Sequence, residues 1–146
     1  MQTNRKEFLK TAGSFTLFSA MGLNFISCNT TSSSDDEEGE IIQNGNVISF
    51  DITTTFQELR NEGGMVLSTS GGFLAVNVDG ETIRAFSNVC THASCTTDWS
   101  LPGDQFICTC HNSIFNLSGE RISGPAARDL PEFGVSRSEN MVTITK

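Results

Sequence analysis

The chain has 146 residues, 37% of them hydrophobic, and a formal net charge of −8 at neutral pH. That length suits one domain, and so acidic a chain lacks the basic surface that nucleic-acid phosphates require. Five cysteines and only two histidines make these side chains the natural carriers of any chemistry.

Asn4-Arg5-Lys6-Glu7-Phe8-Leu9-Lys10 forms a basic opening, followed by a moderately apolar run to Ser27 that Gly13, Ser14, Ser19, Gly22 and Asn24 interrupt. The run is too short and too mixed for a membrane-spanning helix, so residues 1–27 read as an export signal of the lipoprotein type. Arg5-Lys6-x-Phe8-Leu9-Lys10 resembles the twin-arginine export motif, although Lys6 replaces its second arginine and leaves the general secretory route as an alternative. Phe25-Ile26-Ser27-Cys28 resembles a bacterial lipobox, which implies lipid attachment at Cys28; the alternative is a free cysteine in an uncleaved anchor. Either reading implies an extracytoplasmic, membrane-anchored protein, in the bacterial periplasm or at the cell surface. Residues 1–27 carry a net charge of +2, so the remainder carries about −10. That excess serves solubility first and attraction of a basic redox partner second.

Residues 28–45 read as a disordered acidic tether. From Asn29 to Glu40 there is no apolar side chain, and Asp35-Asp36-Glu37-Glu38 adds a charge run. Such a segment buries nothing that could offset the entropy of ordering it.

Residues 46–146 read as a single all-β domain. Val47 to Ile52 is a first predicted strand, Thr55 to Glu62 a short turn or helix, and Met65 to Ser68 a second strand. Phe73–Val78 and Glu81–Phe86 form a predicted hairpin about Asp79-Gly80, with Phe73, Leu74, Val76, Val78, Ile83 and Phe86 as core. Gln105-Phe106-Ile107 leads into Cys108, and Ile114–Leu117 pairs with Glu120–Ile122 across Ser118-Gly119. Phe133–Ser136 and Met141–Thr145 close the domain.

Between these strands lie Cys90-Thr91-His92-Ala93-Ser94-Cys95 and, twelve residues on, Cys108-Thr109-Cys110-His111-Asn112-Ser113-Ile114-Phe115. Both histidines and four of the five cysteines fall here. Two thiolates and two imidazoles can hold a single zinc, but structural zinc usually takes a pair of Cys close together and then a pair of His, not one of each per loop. A lone zinc would also leave Cys95 and Cys110 without a role. The other candidate is a [2Fe–2S] cluster with two cysteines on one iron and two histidines on the other.

The two stretches resemble the Rieske family, whose pattern is Cys-Thr-His-x-Gly-Cys followed by Cys-Pro-Cys-His-Gly-Ser. The resemblance implies that Cys90 and Cys108 ligate one iron, that His92 and His111 ligate the other, and that Cys95 and Cys110 form a disulfide joining the loops. This bridge marks the branch resembling cytochrome bc1 and b6f subunits and arsenite oxidase small subunits. Ser113 matches the family serine that donates to a bridging sulfide. Phe115 stands where high-potential members carry a tyrosine, and the chain has no Tyr at all. The expected potential is therefore below that of the bc1-type proteins. Ser94 and Asn112 replace glycines, which often hold positive φ. Gly124-Pro125-Ala126-Ala127 resembles the proline loop that shields the cluster, with Pro125 as its stiff element and Ala127 replacing a second proline.

The implied protein has an antiparallel Rieske-type β-sandwich or barrel with a small cluster-binding subdomain over roughly residues 90–124. It would carry one [2Fe–2S] cluster and move one electron. It would act as a shuttle or as the electron-transfer subunit of an oxidoreductase, without a substrate site of its own. The alternative is a quinol–cytochrome c reductase-type subunit with an uncleaved N-terminal anchor. Its partners would be a redox protein or a quinol, and the membrane through its N-terminus.

Overall fold

The computed structural model describes residues 40–146. The export signal, Cys28 and most of the tether lie outside the described residues. Eleven strands follow in order: β1 Ile42–Asn44, β2 Val47–Asp51, β3 Met65–Ser68, β4 Phe73–Asn77, β5 Ile83–Ser87, β6 Trp99–Ser100, β7 Gln105–Cys108, β8 Ser113–Asn116, β9 Arg121–Ser123, β10 Glu132–Ser138 and β11 Met141–Thr145. Among the described residues the one helical element is a 3-10 turn, Gln57–Arg60, which buries Leu59. Among the described residues no helix is long and apolar enough to cross a membrane.

The strands form a seven-stranded sheet, β1-β2-β11-β10-β5-β4-β3, and a four-stranded sheet, β6-β7-β8-β9. Every pairing is antiparallel. Strand β10 links two parts of the larger sheet: Glu132 and Phe133 pair with β5, while Gly134 to Ser138 pair with β11.

Strand β4 is buried throughout its length. Because side chains alternate across a strand, Phe73 and Ala75 enter one core while Leu74 and Val76 enter another. The first core joins these residues to Ile48, Phe50, Ile52, Leu59 and Ile144, with Phe50 stacked on Phe73 at 5.9 Å. The second core joins Leu74, Val76 and Phe86 to Trp99, Phe106, Phe115, Leu130 and the cysteines Cys90 and Cys108. The four-stranded sheet thus stands on the back of the larger one. Each fully buried Phe contributes on the order of 2–3 kcal/mol to that attachment. Arg84 adds a polar clasp at its edge, donating to both carboxylate oxygens of Glu132 (2.8 and 2.9 Å) and to Ser118 Oγ (2.8 Å).

Two details differ from the sequence-based expectation. Strand β1 lies inside the stretch read as tether: Ile42 pairs with Ser49 and Asn44 with Val47, across a turn in which Gly45 adopts φ 58°. The Asn44-Gly45 signal is local and strong, but it is masked by the acidic run before it. The β4–β5 connection is also longer than a two-residue turn. Val78 N–H donates to the Thr82 carbonyl at 2.8 Å, and Asp79 Oδ1 accepts from the backbone of Glu81 and Thr82. Val78 is consequently only half-buried, whereas the other five expected core residues of this hairpin are buried.

Candidate metal centre

Strand β5 and its continuation deliver Cys90 to the first loop, and β7 delivers Cys108 to the second. The first loop curls back on itself: Ser94 N–H donates to the Cys90 carbonyl at 3.0 Å, and Cys90 N–H to the Cys95 carbonyl at 2.8 Å. This curl requires the left-handed conformation at Ser94, φ 57°. The second loop requires it at Asn112, φ 59°. These are the two positions where glycine stands in the Rieske pattern. Thr109 N–H donates to the Asp98 carbonyl at 2.8 Å and binds one loop to the other.

The loops bring all six cysteine and histidine side chains to one end of the four-stranded sheet. Cys90 and Cys108 are free thiols, 2% and 0% exposed. Burial, reinforced by the Cys90 thiol beside it, pushes the Cys108 thiol up from 9.0 to about 11. His92 and His111 are both exposed, their ring centroids 4.7 Å apart and their planes at 78°. Cys95 and Cys110 are joined in a disulfide, with Cα atoms 6.6 Å apart. The sulfurs of Cys95, Cys108 and Cys110 all lie within 4.8 Å of one another. That triplet is nevertheless a poor ligand set, because a bridged sulfur has no thiolate to give; only Cys108 of the three can bind metal. The donors that remain are two buried thiols and two outward imidazoles, a set that fits a cluster with thiolates on one iron and imidazoles on the other.

A second layer fixes this end of the molecule. Ser113 is fully buried, and its Oγ accepts from Ala126 N–H at 3.1 Å, which leaves the hydroxyl proton to donate elsewhere. Phe115 is fully buried against Trp99, centroids 5.9 Å apart, and Trp99 Nε1 donates to the Asn88 carbonyl at 2.9 Å. Pro125 is exposed, with Ala126 buried directly after it. The proline loop is tied to the first cysteine loop and to β9. Thr91 Oγ1 donates to the Arg128 carbonyl at 2.6 Å, and Arg121 Nη2 to the Gly124 carbonyl at 2.8 Å. Gly124, at φ 87°, lies so close to the backbone of Asn112 and Ser113 that a Cβ there would overlap it. Thr91 and Asp98 were not among the sequence candidates. A threonine in a Cys-Thr-His run carries a hint of a role; an aspartate three residues beyond Cys95 carries none.

Residues 53–134 match the Rieske [2Fe-2S] domain family. The match covers more than half of the chain, and the chain belongs to that family. Its domain is accordingly of the kind that binds a [2Fe–2S] cluster. Among curated proteins it is 31% identical over 86 residues to the cytochrome b6-f complex iron-sulfur subunit of Chlorobaculum thiosulfatiphilum, covering 59% of this chain and 42% of that one. It is 30% identical over 97 residues to the subunit of the same name from Nostoc punctiforme, covering 63% and 54%. The chain therefore spans about half the length of the curated relatives it matches. Among solved structures, naphthalene 1,2-dioxygenase aligns over 62% of this chain and 24% of its own, with a TM-score of 0.50 and 22% identity, a likeness of fold alone.

Proposed function

We propose that Cys90, His92, Cys108 and His111 hold one [2Fe–2S] cluster and that the chain uses it to carry single electrons outside the cytoplasm, anchored through Cys28. The observation that carries the ligand reading is the arrangement of the four donors: two adjacent buried thiols beneath two imidazoles at the surface. When bound, the cluster supplies one-electron redox chemistry, at a potential that two imidazole ligands place at roughly −150 to +300 mV.

The chain's own residues then have distinct tasks. Cys90 and Cys108 would bind as thiolates, so cluster loading would release their thiol protons. Their surroundings of Leu74, Trp99, Phe106 and Phe115 exclude water from that side. His92 and His111 are exposed, and an imidazole that gave one ring nitrogen to iron would keep the other available to carry a proton. Ser113, its oxygen fixed by Ala126 N–H, would have its hydroxyl proton free to donate to the cluster. The disulfide and the proline loop hold the two cysteine loops in register.

The domains follow the same proposal: export signal over 1–27, acidic tether beginning at Cys28, and the folded domain beyond it. Such a tether would let the histidine end reach first one redox partner and then another. Similarity to cytochrome b6-f iron-sulfur subunits favours a place as the electron-transfer subunit of a quinol-oxidising complex, with an uncleaved N-terminal anchor as the variant form. A shuttle docking to a redox protein is the other form. Native purification from membranes separates them, since a stoichiometric partner complex excludes the shuttle.

The ligand set is tested by composition. The purified full chain should contain iron and acid-labile sulfide in equal amounts. Cys90→Ser and Cys108→Ser should lose both. Tetrahedral zinc without sulfide would overturn the reading.

A further inference from the structure

The Cys95–Cys110 bridge lies at the surface, with Cys95 half-buried and Cys110 exposed. It is reachable by small-molecule thiols. Asp98 stands against it: its Oδ2 lies 3.7 Å from Cys95 Sγ and 3.5 Å from Cys110 Sγ. Bridged sulfurs carry no proton, so these are not hydrogen bonds but a carboxylate held against both sulfurs. Asp98 is held at its side chain and at its backbone. Thr97 Oγ1 donates to the same Oδ2 at 2.6 Å, and the Asp98 carbonyl accepts from Thr109 N–H (2.8 Å) and Thr109 Oγ1 (3.3 Å). No cation pairs with it: among the described residues the one salt bridge is Arg84–Glu132.

We propose that Asp98 is an electrostatic guard that protects the inter-loop disulfide from thiol reduction. A disulfide is reduced when a thiolate attacks one sulfur. The new S–S bond forms a mixed disulfide as the old bond breaks, and the departing cysteine leaves as thiolate. A second thiolate then releases the other cysteine, so the bridge gains two electrons and two external thiols become one disulfide. Negative charge spreads over all three sulfurs in the transition state. A fixed carboxylate within 4 Å of two of them opposes both the approach of the anion and the charge left behind. In water-like surroundings this repulsion is worth about a fivefold change in rate, and more where solvent is partly excluded. The bridge joins the loops that carry the proposed ligands, so slower reduction lengthens the life of the loaded centre. The guard does not depend on the ligand assignment, because it concerns Cys95 and Cys110 alone.

The test is the rate of bridge opening in the full-length protein, followed by alkylation of released thiols and mass spectrometry. Glutathione serves as the anionic reductant and tris(hydroxypropyl)phosphine as a neutral one. Asp98→Asn keeps the shape and the backbone bonds but removes the charge. It should open about fivefold faster with glutathione at low salt, and the difference should shrink at about 1 M salt, where the Debye length is ~3 Å. The phosphine should reduce variant and parent alike. Glu81→Gln, which removes the same net charge on the β4–β5 connection, should leave both rates unchanged. Equal glutathione rates for Asp98→Asn and the parent would overturn the proposal. So would equal acceleration by the neutral phosphine, which would mean that the substitution opens the loops sterically. Should Asp98→Asn fail to fold, Asp98→Glu decides: keeping the charge, it should keep the slow glutathione rate, and a rise to about fivefold would refute the guard.

Discussion

Ser94 and Asn112 are held in the left-handed region by their loops, and the two residues are not equally suited to it. That region costs a residue with a Cβ roughly 1–2 kcal/mol, less for Asn, whose side chain tolerates it. Ser94→Gly should therefore stabilise the domain by about 1 kcal/mol in denaturant titrations, after the entropy lost by glycine is deducted. Asn112→Gly should gain clearly less. Phe115 offers a second residue-scale prediction. Its ring is sealed in the second core beside Cys108. Phe115→Tyr brings a donor toward a cysteine sulfur and should raise the reduction potential, as hydrogen bonds to sulfur favour the added electron. An unmoved potential, accompanied by destabilisation of ~1–3 kcal/mol, would mean the hydroxyl is buried without a partner. The Cys108 thiol supplies a pH dependence for the metal-free chain. Its folded value of about 11 exceeds its ordinary 9.0, so the neutral form is favoured by folding. The stability from this group is fully present below pH 9 and is lost as pH rises through about 11. Chemical denaturation across pH 8 to 11.5 should show the decline, and Cys108→Ala should flatten it.

At the scale of elements, the cysteine loops are held by their neighbours more than by themselves. Gly124 admits the proline loop against Asn112 and Ser113 only because it lacks a Cβ. Gly124→Ala should cost at least about 2 kcal/mol and shorten the lifetime of the loaded centre, read from the decay of its visible absorbance. The disulfide closes a loop of 15 residues, worth about 3 kcal/mol by loop closure. Cys95→Ser and Cys110→Ser should both make the centre labile while leaving the four proposed ligands in place. Unchanged lifetimes would assign the bridge no structural role.

Much of this architecture is legible in the sequence because it is encoded locally. Asp79-Gly80 and Ser118-Gly119 announce hairpins, and the apolar runs around them announce strands. The paired Cys and His are legible for another reason: few chemistries need those side chains in that register. What escapes is set by distant partners. Strand β1 exists because β2 offers it an edge, and β6 is two residues long and pairs with β7. Strand β10 outgrows its apolar centre because β5 and β11 extend it at opposite ends. Asp98 is silent in sequence because its significance comes from a second loop that folds against it.

For the whole molecule, the design is a donor set divided by burial. The larger sheet and the second core keep the thiols dry, and the smaller sheet lifts the imidazoles to its exposed end. A single-electron carrier needs this asymmetry, with a protected interior ligand pair and an outer pair within reach of a partner. The central claim is that two cysteines and two histidines share one cluster at that end. Its most direct test is an EPR-monitored redox titration of the iron-loaded full chain, repeated across pH. The expected result is a reduced signal of the Rieske type, with nitrogen couplings lost on His92→Ala or His111→Ala and a potential that varies with pH. A reduced signal without nitrogen coupling, or iron bound without sulfide, would contradict it.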